Sequence, residues 1–278
     1  MDLLRQFKQK DMNQRRRRFQ SGELALFALT LGVVLFFLLP VFSLILHISP
    51  DLFIAALSSR AIIQTILLSF YTGGIATVLV VIIGTPVAYL NTRRNYPGQG
   101  FVESVLDLPI VLPPAVAGIA LLFTFGRNGL IGSGLDDLGI RVIFTPLAII
   151  LAQMFVAGPL YIRQARSAFL SVPSGLEMAG RTLGGSPIQV FLKITLPLAR
   201  YGLYSGAVLC FARSIGEFGA TIMVAGNLPG LTQTMPLAIY SLMQNDMNGA
   251  ISIALILVIL SFIVLVVVRY LTRMEQLC

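Results

Sequence analysis

Residues 174–197 read SGLEMAGRTLGGSPIQVFLKITLP, and this stretch contains two helix starts separated by a glycine stop. Ser174 and Glu177 have the spacing of a capping box, in which the serine hydroxyl accepts from the Glu177 amide and the glutamate side chain reaches back. Glycine takes the left-handed conformation easily, so the first helix is predicted to run to about Leu183 and to end at Gly184–Gly185.

A second helix start follows at once. Ser186 is placed to cap it, Pro187 suits the first helical position, and Gln189 completes another capping box. From there the helix is predicted to continue through Pro197 into a long apolar run. The expected result is a helix–turn–helix at a membrane surface. Such a rigid loop favours a docking surface, and the alternative is a plain amphipathic interfacial helix.

The composition on either side of this loop is that of a membrane protein. Of 278 residues, 56% are hydrophobic and 12% are charged, and the mean hydropathy is +0.86. Soluble domains carry roughly a quarter charged residues, so an ordinary cytosolic enzyme and a disordered chain are excluded. The two cysteines, Cys210 and Cys278, exclude a disulfide framework, and a lone His47 excludes a metal site built on several histidines.

A bilayer crossing needs about 20 mainly apolar residues. Six stretches of the sequence are this long and this apolar. The first is too long for a secretory signal and is followed by no small-residue cleavage site, so it is predicted to be retained. The predicted spans are approximately residues 24–46, 62–90, 101–125, 143–162, 195–215 and 249–270.

The positive charges predict the orientation of these spans. With the basic tail 1–23 inside, the inner segments hold sixteen Lys and Arg and the outer loops hold three. Cytoplasmic loops carry such an excess, so both ends, including the short tail 271–278, are predicted to face the cytoplasm. The net charge of +8 therefore indicates a basic flank beside a membrane and no nucleic-acid partner.

Prolines are concentrated in the third predicted span. Pro109, Pro113 and Pro114 fall within six residues, and a proline inside a helix removes a backbone hydrogen bond and kinks the helix. In lipid, freed carbonyls are tolerated where they line a cavity or meet neighbouring helices. The third span is therefore predicted to be bent and to line a path.

The loop 171–197 resembles the cytoplasmic EAA loop of binding-protein-dependent ABC importer permeases. Gly184, Ile194 and the pair Leu196–Pro197 have the spacing of that motif. In this register the three-letter opening falls on residues 178–180, so the family's usual glutamate is displaced to Glu177. The resemblance implies a coupling role for Ser174, Glu177, Ala179, Gly184, Ile194, Leu196 and Pro197.

This resemblance implies an all-α integral membrane protein with six transmembrane helices, both ends inside, and a cytoplasmic coupling helix (the type I importer permease fold). It also implies a separate ATPase subunit, an external binding protein and a second permease copy, in a bacterial inner membrane, with a plastid inner membrane also compatible. No Gly-x4-Gly-Lys-Ser/Thr motif is present, so ATP and Mg²⁺ are expected on the ATPase subunit. This chain is expected to bind no cofactor or metal and to catalyse no reaction.

Two further segments resemble the branch of this family that carries molybdate, tungstate or sulfate and thiosulfate. They are residues 106–118 and 216–240, and the second is most similar to molybdate permeases. A path for an oxyanion needs hydrogen-bond donors that bind the anion weakly enough for it to leave again. The residues predicted to form the path and its gate are Pro113, Pro114, Ala115, Arg213, Ser214, Glu217, Thr221 and Asn227.

Arg213 and Glu217 are four residues apart, so on a helix they share a face. Either Arg213 attracts the anion while Glu217 weakens its field, or the pair is structural and holds a helix break near the outer interface. We favour the structural interpretation, because an unpaired cation would attract an anion better.

Two other function classes are compatible with a six-span chain. An ion-coupled secondary transporter would use Arg213 and Glu217 as a charge relay, and it would give no reason for the capped loop. A membrane-embedded enzyme is disfavoured, because no loop combines a nucleophile, a base and metal ligands.

Overall fold

The computed structural model describes Glu23 and residues 26–277. The rest of the predicted basic tail 1–23, and Cys278, lie outside the described residues. Helix α1, Leu26–Leu46, has a mean hydropathy of 2.7 and belongs to a unit of its own that ends at Ile48. Its length of 21 residues is sufficient to cross the hydrocarbon core of a bilayer.

The second unit begins at Ser49, and its described residues contain helices and connecting turns but no strand. Its helices are α2 Pro50–Ser58, α3 Arg60–Arg93, α4 Gln99–Val111, α5 Pro114–Phe125, α6 Gly132–Asp137, α7 Pro146–Ser171, α8 Ser174–Thr182, α9 Pro187–Val190, α10 Leu196–Ile215, α11 Gly219–Ala225, α12 Met235–Leu242 and α13 Met247–Leu277. A π-helical segment, Phe191–Thr195, joins α9 to α10 without a break.

Among the described residues, five helical stretches are long and apolar enough to cross a membrane, and a bent pair would make six. The predicted span 101–125 is this pair: α4 and α5 meet at an angle of 114°. Pro114 lacks an amide hydrogen and disfavours the helical conformation for the residue before it. The predicted kink is therefore a complete break between two helices.

Three long helices, α3, α7 and α10, form the centre of the second unit. Tyr161 of α7 is fully buried there, with its ring between Gly84 of α3 and Gly206 of α10. Its hydroxyl and the Thr85 Oγ1 are 2.6 Å apart and share a hydrogen bond. In lipid the hydrophobic effect does not drive helices together, so their association depends on close packing. Small residues such as these glycines allow the helix backbones to approach closely.

Helix α4 lies along α7 and is tied to it by two ion pairs. Arg163 Nη2 lies 2.9 Å from Asp107 Oδ2, and Arg166 Nη2 lies 2.8 Å from Glu103 Oε1. The two helices therefore run in opposite directions along this seam, and the broken end of α4 is brought to the middle of α7.

Candidate functional sites

The first candidate site is the loop 171–197, and its first helix does not begin as predicted. Ser174 is the first residue of α8, Pro173 occupies the capping position, and no side chain caps this end. The predicted capping box of Ser174 and Glu177 is therefore wrong. The Glu177 side chain turns into the protein instead, where the residue is only 5% exposed.

The Glu177 carboxylate is held by two donors from distant parts of the sequence. Its Oε1 accepts from Arg93 Nε at 3.0 Å and from Thr195 Oγ1 at 2.8 Å. Arg93 also donates through Nη2 to the Val172 carbonyl at 2.8 Å. Hydrogen bonds to a charged group are shorter and stronger than neutral ones, so they outcompete a local cap.

We call Arg93, Val172, Glu177 and Thr195 the arginine hub. It joins the end of α3, the residue after α7, the helix α8 and the π-helical segment before α10. This hub was not predicted from the sequence, where Arg93 only marks the end of an apolar run. Hydrogen bonds therefore connect α8 to the ends of the three central helices.

The stop and restart after α8 agree with the sequence prediction. Gly184 has a φ of 87°, and the amides of Gly184 and Gly185 donate to the carbonyls of Arg181 and Gly180. This double pattern is a Schellman motif. Ser186 and Gln189 form the predicted reciprocal capping box, and Pro187 is the first residue of α9.

Ile194 fixes the packing of α8 against the π-helical segment. A Cβ added to Gly180 would lie 2.6 Å from Ile194 Cδ1 and 3.2 Å from Val190 Cγ2. Gly180 therefore allows α8 to pack closely against Ile194 and Val190, and a larger residue at this position would separate them. The role of Gly180 was not predicted from the sequence.

The loop also carries exposed apolar side chains. Leu183 is 89% exposed and Ile188 is 70% exposed. The predicted coupling residues Ala179, Gly184 and Pro197 are also exposed, whereas Leu196 is half-buried. We call the exposed group the loop surface; it consists of Leu176, Met178, Leu183 and Ile188.

The second candidate site is where two broken helices meet. A Cβ added to Gly219, at the start of α11, would lie 2.5 Å from Pro114 Cβ at the start of α5. A Cβ added to Gly118 would lie 2.6 Å from Met223 Cβ. The two predicted path segments are therefore in direct contact, which the sequence did not show.

Arg213 and Glu217 form the predicted pair beside this contact, with Nη1 and Oε2 2.7 Å apart. Glu217 is 2% exposed, and its Oε1 accepts from the Ala220 amide at 2.9 Å. The carboxylate therefore neutralises Arg213 and caps the start of α11 simultaneously. The Ala220 amide is therefore already paired within the chain.

Arg213 also lines a cavity of about 180 Å³ with residues from α4, α5 and the middle of α7. Val156 and Leu160 form the α7 side of this cavity, about 15 to 21 Å along that helix from its start. Arg213 thus lies well inside the long helix bundle. The Arg213 side chain is 34% exposed, so it keeps access to the cavity despite its partner.

The other predicted path residues are placed differently. Ser214 and Thr221 are fully buried, and their hydroxyl oxygens have no hydrogen-bond partner among the described residues. Asn227 donates to the Leu237 carbonyl and to Ser241 Oγ, so it fastens the loop to α12. Pro113, Pro114 and Ala115 are exposed at the break. The structure thus brings Pro114 and Arg213 to one cavity, while Ser214, Thr221 and Asn227 lie elsewhere.

Comparison with known proteins identifies the family. Residues 80–274 match the model of the binding-protein-dependent transport system inner membrane component. The chain belongs to this family of permeases. It is therefore a multi-pass membrane protein and the transport subunit of an ABC importer, and the resemblance found in the loop sequence is confirmed.

Two curated relatives cover most of this permease. A probable transport system permease protein, NifC of Clostridium pasteurianum, is 43% identical over 243 residues, which are 87% of this chain and 85% of the relative. The molybdenum transport system permease protein ModB of Escherichia coli K12 is 41% identical over 216 residues, 77% of this chain and 94% of the relative.

A solved structure shares the fold of this permease. A chain of a bacterial ABC transporter involved in the import of the acidic polysaccharide alginate matches with a TM-score of 0.65 at 16% identity. The match covers 94% of this chain and 98% of that chain. The all-helical permease architecture predicted from the sequence is thereby supported, at the level of fold.

Proposed function

We propose that this permease moves an oxyanion, with molybdate as the main substrate, from an external binding protein into the cytoplasm. The energy comes from ATP hydrolysed by a separate ATPase subunit. The observation that carries the proposal is the loop 171–197, which carries exposed apolar side chains and is fixed to three long helices by the arginine hub. A loop built in this way can transmit to the central helices a force that the ATPase applies to it.

The loop surface is the proposed contact with the ATPase. Leu183 and Ile188 are large apolar side chains on a short, capped loop, and such side chains gain by burial against a partner. Closure of the ATPase would push α8, and the hub would carry the displacement to α3, α7 and α10. We place the loop on the cytoplasmic side because the segments on that side of the predicted spans carry the excess of Lys and Arg.

The anion path is proposed to run past the contact between α4–α5 and α10–α11. Arg213 provides a positive charge for the anion in a cavity. Glu217 weakens this attraction, so that the anion is not bound too tightly to leave. A charged residue inside a membrane protein faces a bundle interior or a water-filled cavity. A second permease copy would complete the far wall of the path beside the exposed residues Pro113 to Ala115.

Molybdate is proposed as the substrate because a relative 41% identical is a molybdenum transport system permease. The external binding protein is proposed to perform most of the selection, since the cavity offers few fixed donors. Tungstate, sulfate and thiosulfate are the competing oxyanions.

The test uses the permease reconstituted in vesicles with its ATPase and its binding protein. Labelled molybdate should enter only with ATP, and an excess of tungstate should compete better than sulfate. Uptake by the permease alone, driven by an ion gradient, would support the secondary-transporter alternative and overturn the proposal.

A pair of matched variants tests the loop surface. Leu183→Asp should release the ATPase on purification, because a charge is placed in an apolar contact. Leu130 is equally exposed at 89% and lies beyond α5, so Leu130→Asp should leave ATPase capture unchanged. Equal capture by both variants would disprove the proposed contact.

A further inference from the structure

A large groove lies beside the loop, between the end of α3 and the start of α9. Its volume is about 640 Å³. Three arginines, Arg93, Arg94 and Arg181, line it, and no carboxylate is among its lining residues. We call it the arginine groove.

Two of these arginines have no partner within the described part of the chain. Arg93 pairs with Glu177 in the hub, but Arg94 and Arg181 take part in no ion pair or side-chain hydrogen bond there. Both are exposed. The groove thus carries two uncompensated positive charges beside a third that is already neutralised, and this arrangement attracts an anion.

The rest of the groove is apolar. Leu90 is 50% exposed on the last turns of α3, and Pro187 at the start of α9 is also exposed. Phe191 packs on Tyr89 with ring centroids 4.7 Å apart and forms part of the wall. A small polar anion would leave these apolar surfaces in water, whereas a ligand with a charged head and a hydrocarbon tail would cover them.

The dimensions of the groove match the boundary of a bilayer. From Pro86 to Arg93, α3 rises about 10 Å. The polar headgroup region adds roughly 5 to 8 Å on each side of the hydrocarbon core. With the loop at the membrane surface, as proposed, the apolar residues would reach the edge of the hydrocarbon and the arginines would lie at headgroup depth.

We propose that the arginine groove binds an acidic phospholipid from the leaflet on the side of the loop. Arg94 and Arg181 contact the phosphate, and an acyl chain lies along Leu90 and Phe191. The inference rests on the proposed placement of loop 171–197 at the cytoplasmic membrane surface. A bound lipid bridges Arg181 of α8 to Arg94 next to the hub, and it thereby stiffens the attachment of the coupling loop.

The experiment measures lipid retention by the full-length permease in native mass spectrometry. The probes are phosphatidylglycerol and phosphatidylcholine with the same acyl chains. One phosphatidylglycerol should be retained per chain in preference to phosphatidylcholine. Each basic residue near an anionic lipid surface contributes about fivefold to affinity, so Arg94→Gln with Arg181→Gln should weaken retention roughly 30-fold.

Two control variants separate charge from folding. Lys193→Gln removes an exposed charge of the π-helical segment that does not line the groove, so retention should stay the same. Arg94→Lys with Arg181→Lys keeps both charges and should retain the lipid. If this lysine pair loses retention as fully as the glutamine pair, charge is not the cause and the proposal fails.

Three other outcomes would overturn the inference. They are equal retention of the two lipids, unchanged retention in the glutamine pair, and displacement of phosphatidylglycerol by millimolar inorganic phosphate. The last would show a site for free anions. If the glutamine pair keeps its lipid and loses the ATPase, the groove is an ATPase contact. Capture of the ATPase by the unaltered chain tests the proposed function separately.

Discussion

Replacement of Glu177 by alanine tests the arginine hub most directly. The change removes the only carboxylate that the structure shows beside Arg93 and also the acceptor of the Thr195 hydroxyl. Arg93 would be left at 16% side-chain exposure with only the Val172 carbonyl as an acceptor. Helix α8 should then open more often from its position against α3 and α10.

The magnitude follows from the burial of the pair. Removing one partner of a fully buried ion pair costs about 3 to 5 kcal/mol. Arg93 keeps some contact with solvent, so we expect a cost of about 2 to 3 kcal/mol for the docked state of α8. At about 1.4 kcal/mol per factor of ten, this change raises the population of the open state roughly 30- to 150-fold.

Hydrogen–deuterium exchange of the α8 amides measures this population. In Glu177→Ala the protection of residues 178–182 should fall by that factor, while the amides in the middle of α7 keep theirs. Ser174→Ala serves as the control, because the structure shows no cap by Ser174 and its effect should stay below about twofold. Unchanged exchange in Glu177→Ala, or an equal loss in Ser174→Ala, would refute the assignment of the hub.

Three further changes test the rest of the structure. Gly118→Ala places a methyl group 2.6 Å from Met223 Cβ, so the melting temperature in detergent should fall by several degrees for a cost of about 1 to 3 kcal/mol; an unchanged melting temperature would contradict the close approach of α5 and α11. Ser186→Ala removes the observed cap of α9 and should lower the protection of amides 188–190 about fivefold, for a loss of about 1 kcal/mol; exchange as in the unaltered protein would argue against the cap. The pair of Asp107 and Arg163 is exposed, so a double-mutant cycle of Asp107→Asn and Arg163→Gln on the melting temperature should give a coupling below about 1 kcal/mol, and a larger value would indicate a buried pair.

Features set by neighbouring residues could be predicted from the sequence. The cap at Ser186 and the left-handed Gly184 depend on contacts within five residues, and both were predicted correctly. The long helices could also be predicted, from the long apolar runs. A helix forms its backbone hydrogen bonds within one segment, which is what a chain in lipid requires. Family membership was also reached from the spacing of a local motif.

Features set by distant contacts could not be predicted. Ser174 and Glu177 have the local sequence of a capping box. The Glu177 carboxylate instead accepts a hydrogen bond from Arg93, which lies 84 residues earlier. The sequence also predicted a bend at Pro113 and Pro114 without showing that Gly219 packs against the broken end. Helical spacing indicates which residues share a face, but it does not tell which face turns inward, and Ser214 was therefore placed in a path while the structure buries it.

The π-helical segment Phe191–Thr195 sets how far α9 is rotated about the helix axis relative to α10. A regular α-helix turns about 100° per residue, and a π turn accommodates extra backbone before the winding resumes. Return of this segment to ordinary α winding would rotate α9 against α10 and carry Thr195 away from the glutamate it now contacts. We therefore expect the junction to turn a lateral push on α9 into a rotation of α10.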